Sequence, residues 1–143
     1  MSYLNAGLPA PAADALDGPY WEGLRGETLC LQRCRSCQRF QWGPEWLCHR
    51  CLSFDLDYQP VDPIGNIYSF ERVWHPVHPA LQAQGPYLIV LVRLPQADDV
   101  RVVGNLLGDP RQVVPIGAQV QGVFEHHPAG EFTLLQWRLQ VTV

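Results

Sequence analysis

The chain has 143 residues, 47% of them hydrophobic, enough for one medium domain or two very small ones. Its formal charge is −4, which excludes a global positive field drawing it to nucleic acid or anionic membrane. It has no run of about 18 apolar residues, so no transmembrane helix is expected.

From the N-terminus, residues 1–18 are rich in Ala, Pro and Gly and read as a flexible arm. They lack the basic and apolar regions of a secretory signal, so a reducing cytoplasmic setting is expected. Pro19 to Glu27, PYWEGLRGE, reads as a short helix, with Pro at its first position and Gly26 at its end. Tyr20, Trp21 and Leu24 share one face. That face either caps the core or docks on a partner. TLCLQ, 28–32, reads as a strand leading into the cysteines.

Four of the five cysteines follow at C-x2-C-x10-C-x2-C spacing: Cys34, Cys37, Cys48 and Cys51. Two thiolates separated by two residues can face one ion from a tight turn, and two such knuckles complete a tetrahedron of sulfurs around zinc. The same four sulfurs would also hold iron. A catalytic zinc usually keeps one position open, whereas four cysteines close the shell, so a structural staple is expected. A thioredoxin-like redox pair would need a βαβ context that the sequence lacks. His49, between the knuckle cysteines, is expected to face outward, and Cys30 to be a small buried residue. Arg33, Arg35, Arg39 and Arg50 surround the site, and nearby guanidinium groups and backbone N–H groups are expected to offset the charge of four thiolates.

After Cys51 the pattern becomes a string of strand-like runs broken by Gly, Pro and Asp: 54–61, 65–74, 87–95, 101–108, 118–127 and 132–143. YLIVLV, from Tyr87, is apolar on both faces, as a central strand would be. Gly122 suggests a bulge or tight bend. Short turns without intervening helices argue for a small barrel or sandwich. The long connection is 75–86, HPVHPALQAQGP, and such loops are usually functional or mobile.

No Ser-His-Asp pattern, Gly-rich phosphate loop or HExxH motif is present. His75 and His78 are loose candidates to contact a ligand or partner. His126 and His127 read as a hairpin tip, and Trp74, Tyr87 and Trp137 as core or interface aromatics.

YWEGLRGETLCLQRCRSC (20–37), PEWLCHRCLS (44–53), GNIYSFERVWH (65–75), PYLIVLVRL (86–94) and LLQWR (134–138), in this order, resemble the acyl-CoA-associated zinc-ribbon/OB-fold family (domain of unknown function, family thirty-five). The resemblance implies a mainly β chain. Its parts would be an N-terminal arm and helix (1–27), a rubredoxin-like four-cysteine zinc ribbon (28–55) and a C-terminal OB-fold barrel (56–143). It further implies a non-catalytic accessory or scaffold subunit of a thiolase-fold acyl-CoA complex, of acyltransferase, thiolase or aldolase type, with zinc as cofactor. Tyr20, Trp21, Trp74, His75, His78 and Tyr87 are then the expected contacts with the partner or acyl-CoA. Two other readings are a single-stranded nucleic-acid-binding zinc-ribbon/OB module and a free-standing acyl-CoA-binding enzyme. Against the first, the arginines after the ribbon (Arg72, Arg93, Arg101, Arg111 and Arg138) are outnumbered by acids.

Overall fold

A computed structural model describes residues 4–141. Helix α1 spans Gly18–Arg25, with Pro in its first turn and Gly26 as its C-cap residue. Leu24 is fully buried, while Tyr20 and Trp21 pack partly buried against the core. Through Leu24 the helix caps the core, one of the two roles open to this face.

The strands are β1 (Cys30–Cys34), β2 (Phe40–Gln41), β3 (Leu56–Pro60), β4 (Ile64–Val73), β5 (Tyr87–Leu94), β6 (Val100–Asn105), β7 (Gln119–His126) and β8 (Thr133–Leu139). They form two sheets. The first has the order β2-β1-β3 and is antiparallel throughout. Strand β3 reads from sequence as the first of the later strands, yet it bonds to β1 from Cys30↔Pro60 to Cys34↔Leu56. Pairing passes from one sheet to the other between Pro60 and Ile64.

The second sheet has the order β6-β5-β4-β7-β8. Its outer strands approach each other at a parallel bridge between Leu106 and Trp137, which nearly closes the sheet into a barrel. Five strands in this order, closed by a parallel contact, make an OB-fold. Strand β5 is interior to the sheet, and its alternation is plain. Leu88, Val90, Val92 and Leu94 are 0% exposed, while Tyr87, Ile89 and Leu91 are half-buried. Each fully buried side chain of this kind contributes about 1.5–3 kcal/mol. Trp137 is also 0% exposed and lies in the core.

The bulge or tight bend expected at Gly122 does not interrupt the pairing. The β7–β8 register runs unbroken through Gly122↔Trp137. What the glycine permits is close approach, since a Cβ there would stand 2.6 Å from Pro63 Cβ. The irregularity in the barrel sits instead between Ile67 and Ser69 of β4. The 75–86 connection holds one short helical turn, α2 (Pro79–Gln82), where an unbroken loop was expected. His78 caps this turn, its Nδ1 accepting from the Ala80 amide at 3.2 Å.

One apolar core serves both sheets. Leu24, Leu29 and Leu31 belong to the same cluster as Val90, Val120 and Trp137. Among the described residues no helix is long and apolar enough to cross a membrane.

Candidate metal centre and its surroundings

The two knuckles repeat the same local geometry. In the first, the Cys37 amide points at Cys34 Sγ (3.5 Å) and the Gln38 amide donates to the Cys34 carbonyl (2.9 Å). In the second, the Cys51 amide points at Cys48 Sγ (3.5 Å) and the Leu52 amide donates to the Cys48 carbonyl (3.1 Å). Each closes on a left-handed residue, Gln38 at φ 65° and Leu52 at φ 64°. The turn places both cysteines of a pair on one side, which is what the x2 spacing serves.

The sulfurs converge. Cys34 Sγ lies 3.5 Å from Cys51 Sγ, Cys37 Sγ lies 3.6 Å from Cys48 Sγ, and all four lie within 4.8 Å of one another. Zinc–sulfur bonds of about 2.3 Å in a tetrahedron require sulfurs about 3.8 Å apart, so the donor set fits such an ion. No disulfide links them, and all five cysteines are free. The Cys51 amide, helped by that of Arg50, holds the Cys48 thiol down to about 6. The Cys37 amide likewise lowers the Cys34 thiol. The Ser53 amide favours the Cys51 thiolate, but burial and the neighbouring sulfurs push this thiol up to about 11. Four sulfurs this close cannot all be thiolates unless a cation sits among them. With four sulfurs the coordination shell is full, and the chemistry such an ion supplies is structural.

Of the four surrounding arginines, two turn to carboxylates. Arg35 turns to Asp55 (3.3 Å) and Asp57 (3.0 Å), and Arg39 to Asp98 (3.6 Å). Arg33 donates to the Gln38 carbonyl (2.8 Å). The groups that reach sulfur are backbone amides, including that of Arg50 on Cys48 Sγ (3.4 Å). His49 is exposed, as expected. Cys30 stands outside the cluster, half-buried and beside Gly23, and burial raises its thiol.

Sequence reading missed two buried glutamines that join the knuckles. Gln41 donates to Gln32 Oε1 (2.6 Å) and to the Leu47 carbonyl (3.2 Å), and accepts from the His49 amide (2.8 Å). Gln32 donates to the Glu45 carbonyl (2.8 Å) and accepts from the Glu45 amide (3.0 Å). The two are 3% and 6% exposed, Gln32 and Gln41 respectively. The sequence signal was their place on strands next to the cysteines, which glutamine alone does not advertise.

The other expected contact residues fall in different places. Tyr20 and Trp21 join Trp42, Val103, Asn105 and Leu134 around an apolar groove of about 360 Å3 between α1, the ribbon and the β6–β8 seam. The Tyr20 ring lies 4.6 Å from that of Trp42. Trp74, His75, His78 and Tyr87 do not line it. Trp74 and His75 follow the end of β4, His78 caps α2, and Tyr87 opens β5 opposite Val73. Trp74 and His75 are exposed. His127, read as part of a hairpin tip, is buried and packs on Phe132 with ring centres 4.6 Å apart. His126 bridges Thr133 (2.8 Å) and Glu27 (2.9 Å).

The fold and site thus define a four-cysteine ribbon joined to an OB-fold barrel. The family profile of the ChsH2 C-terminal OB-fold domain matches residues 58–125. The solved "Ltp2-ChsH2(DUF35) aldolase" superposes with a TM-score of 0.81 and 31% identity, covering 92% of this chain and 100% of that one. A DUF35 protein of unknown function from Sulfolobus solfataricus shares the fold, with a TM-score of 0.59 and 16% identity over 85% of this chain and 83% of its own. A "Probable enoyl-CoA hydratase alpha subunit" from Thermomonospora curvata is 33% identical over 112 residues, 78% of this chain and 34% of that protein. The chain therefore spans about a third of this curated relative. It belongs to the DUF35 family of OB-fold proteins.

Proposed function

We propose that this chain is a non-catalytic partner subunit of a thiolase-fold enzyme acting on acyl-CoA thioesters, with a structural zinc in its ribbon. The observation that carries the reading is the likeness to the Ltp2-ChsH2(DUF35) aldolase, which spans 92% of this chain and the whole of that one. The similarity to a subunit of a probable enoyl-CoA hydratase supports the same acyl-CoA setting. The closed shell of four thiols supports a staple over a reacting centre. Zinc is the ion favoured by four cysteines at tetrahedral spacing. The free thiols suit a reducing, cytoplasmic compartment. In this reading the ribbon fixes helix α1 against the barrel, and the groove beside Tyr20, Trp21 and Trp42 borders the route of an acyl or pantetheine chain. The partner supplies the reaction type, whether aldolase, thiolase or acyltransferase.

The test is a tagged pull-down from the native host, with the captured protein identified by mass spectrometry. A thiolase-fold protein in stoichiometric amount is the expected result. Acyl-CoA turnover by the isolated chain, or capture of nucleic acid alone, would sink the reading.

A further inference from the structure

At the end of β4 lies a cluster that the metal centre does not use: Phe70, Arg72, Trp74 and Arg111. The Arg72 guanidinium lies over two rings, 6.0 Å from the centre of Phe70 and 5.6 Å from that of Trp74. Arg111 lies 5.2 Å from the Trp74 ring centre. Arg72 also donates through Nε to the Pro110 carbonyl (2.9 Å) and through a terminal nitrogen to the Gln112 carbonyl. It therefore fastens the loop that carries Arg111 to the strand that carries Trp74. The rings stand in solvent, Phe70 39% and Trp74 49% exposed, and Val113 on the same loop is 83% exposed. Contiguous exposed apolar side chains rimmed by polar groups mark interaction surfaces.

Charge narrows what this surface fits. Arg35, Arg39 and Arg93 each meet a carboxylate. Arg72 and Arg111 meet none among the described residues. Two acids lie close in sequence. Glu71 alternates with Phe70 and Arg72 along the pleat and so takes the other face. Asp109 is turned to the Arg111 amide, which donates to its Oδ1 at 2.8 Å. Arg72 spends its fork on the Pro110 and Gln112 carbonyls, whereas Arg111, stacked over the Trp74 ring, is the guanidinium that can present its N–H fork to a carboxylate. Exposed Trp and Arg are also the side chains that dominate binding hot spots. A nucleic acid fits less well, because guanidinium groups already cover Trp74 and the chain carries a charge of −4.

We infer that this cluster is a docking surface for a protein face bearing carboxylates around an apolar recess. The recess receives Trp74, and Arg111 pairs with an Asp or Glu at its rim. This rests on the reading above, in which the occupant is the thiolase-fold partner.

The test uses the full chain as wild type, Trp74→Ala and Arg111→Glu. Both altered side chains are exposed, and a melting curve for each variant checks that the fold is kept. The partner captured by the wild type is identified, purified and titrated against all three chains at low and high salt. Each variant is expected to bind roughly 30-fold more weakly, as hot-spot losses do. Arg111→Glu should also flatten the salt dependence. If the partner binds wild type and both variants within about twofold, this surface is not the dock and the inference fails while the partner reading stands. If the wild type captures no thiolase-fold protein, the partner reading fails and takes this inference with it. Single-stranded DNA binding that is present in the wild type and lost in Arg111→Glu would assign the surface to nucleic acid and overturn the proposal.

Discussion

The buried amides of Gln32 and Gln41 do more for the metal centre than the charged residues around it. They bond to backbone on the segment between the knuckles, so the geometry of the sulfurs depends on two side chains that touch no sulfur. Gln41→Leu keeps the volume and leaves the His49 amide and Leu47 carbonyl without their side-chain partner. A buried polar group left unsatisfied costs about 1–3 kcal/mol. The variant should unfold at correspondingly lower urea and release metal faster to a chromogenic chelator; an unchanged release rate would mean the amides only fill space. Tyr20 gives a second test. Burial pushes its hydroxyl up to about 12 from an ordinary value of 10.0. The folded state thus binds this proton more tightly than the unfolded chain. Its contribution is fully present below pH 10.0 and is lost as pH rises toward about 12. Tyr58 is raised to a similar value, by burial first and then by Asp17 and Asp14. Tyr20→Phe should therefore remove part, and not all, of the alkaline loss of melting temperature.

At the scale of elements, the barrel is closed by a glycine. A Cβ on Gly104 of β6 would stand 2.6 Å from the Leu135 carbonyl oxygen and 2.9 Å from Cδ1 of Trp137. Both neighbours are on β8, and one of the two contacts is backbone, which cannot swing aside. The Leu106–Trp137 bridge forms where β6 can approach β8 this closely. Gly104→Ala should force the strands apart and cost about 1–3 kcal/mol in denaturant unfolding, as overpacking does. A variant as stable as wild type would show that the seam yields freely. Helix α1 illustrates a related point. Its Leu24 is part of the core, so truncation of the first 26 residues removes a piece of the fold along with any docking surface. Point changes on exposed residues are the cleaner probe of partner contact.

For the molecule as a whole, the decisive feature is that ribbon and barrel share one apolar cluster. A ribbon with its own core would melt alone when the metal leaves. Here the loss should propagate. Cys48→Ser removes one of the four sulfurs that could hold an ion, and the free energy of metal binding is folding free energy for a module held that way. The expected result is metal content near zero and a single melting transition shifted down as a unit. Two separated transitions, with the barrel unmoved, would show that the units fold independently.

The sequence was enough for the parts that depend on short-range spacing. Two x2 cysteine pairs ten residues apart fix a converging set of sulfurs, because the turn between paired cysteines leaves little choice of direction. The apolar run YLIVLV marks a strand interior to its sheet, and the order of helix, ribbon and strands was legible in the same local patterns. What depended on long-range approach was not legible. Strand β3 bonds to β1 rather than to the strands after it, a long-range pairing that only packing selects. Gly122 makes room for Pro63, 59 residues away in the chain, which no local bend would reveal. Arg35 and Arg39 looked like counter-charges for sulfur until the fold paired them with Asp55, Asp57 and Asp98. Local geometry is written in neighbouring residues. Partners across space are settled by which buried surfaces fit together, and that only the tertiary structure decided.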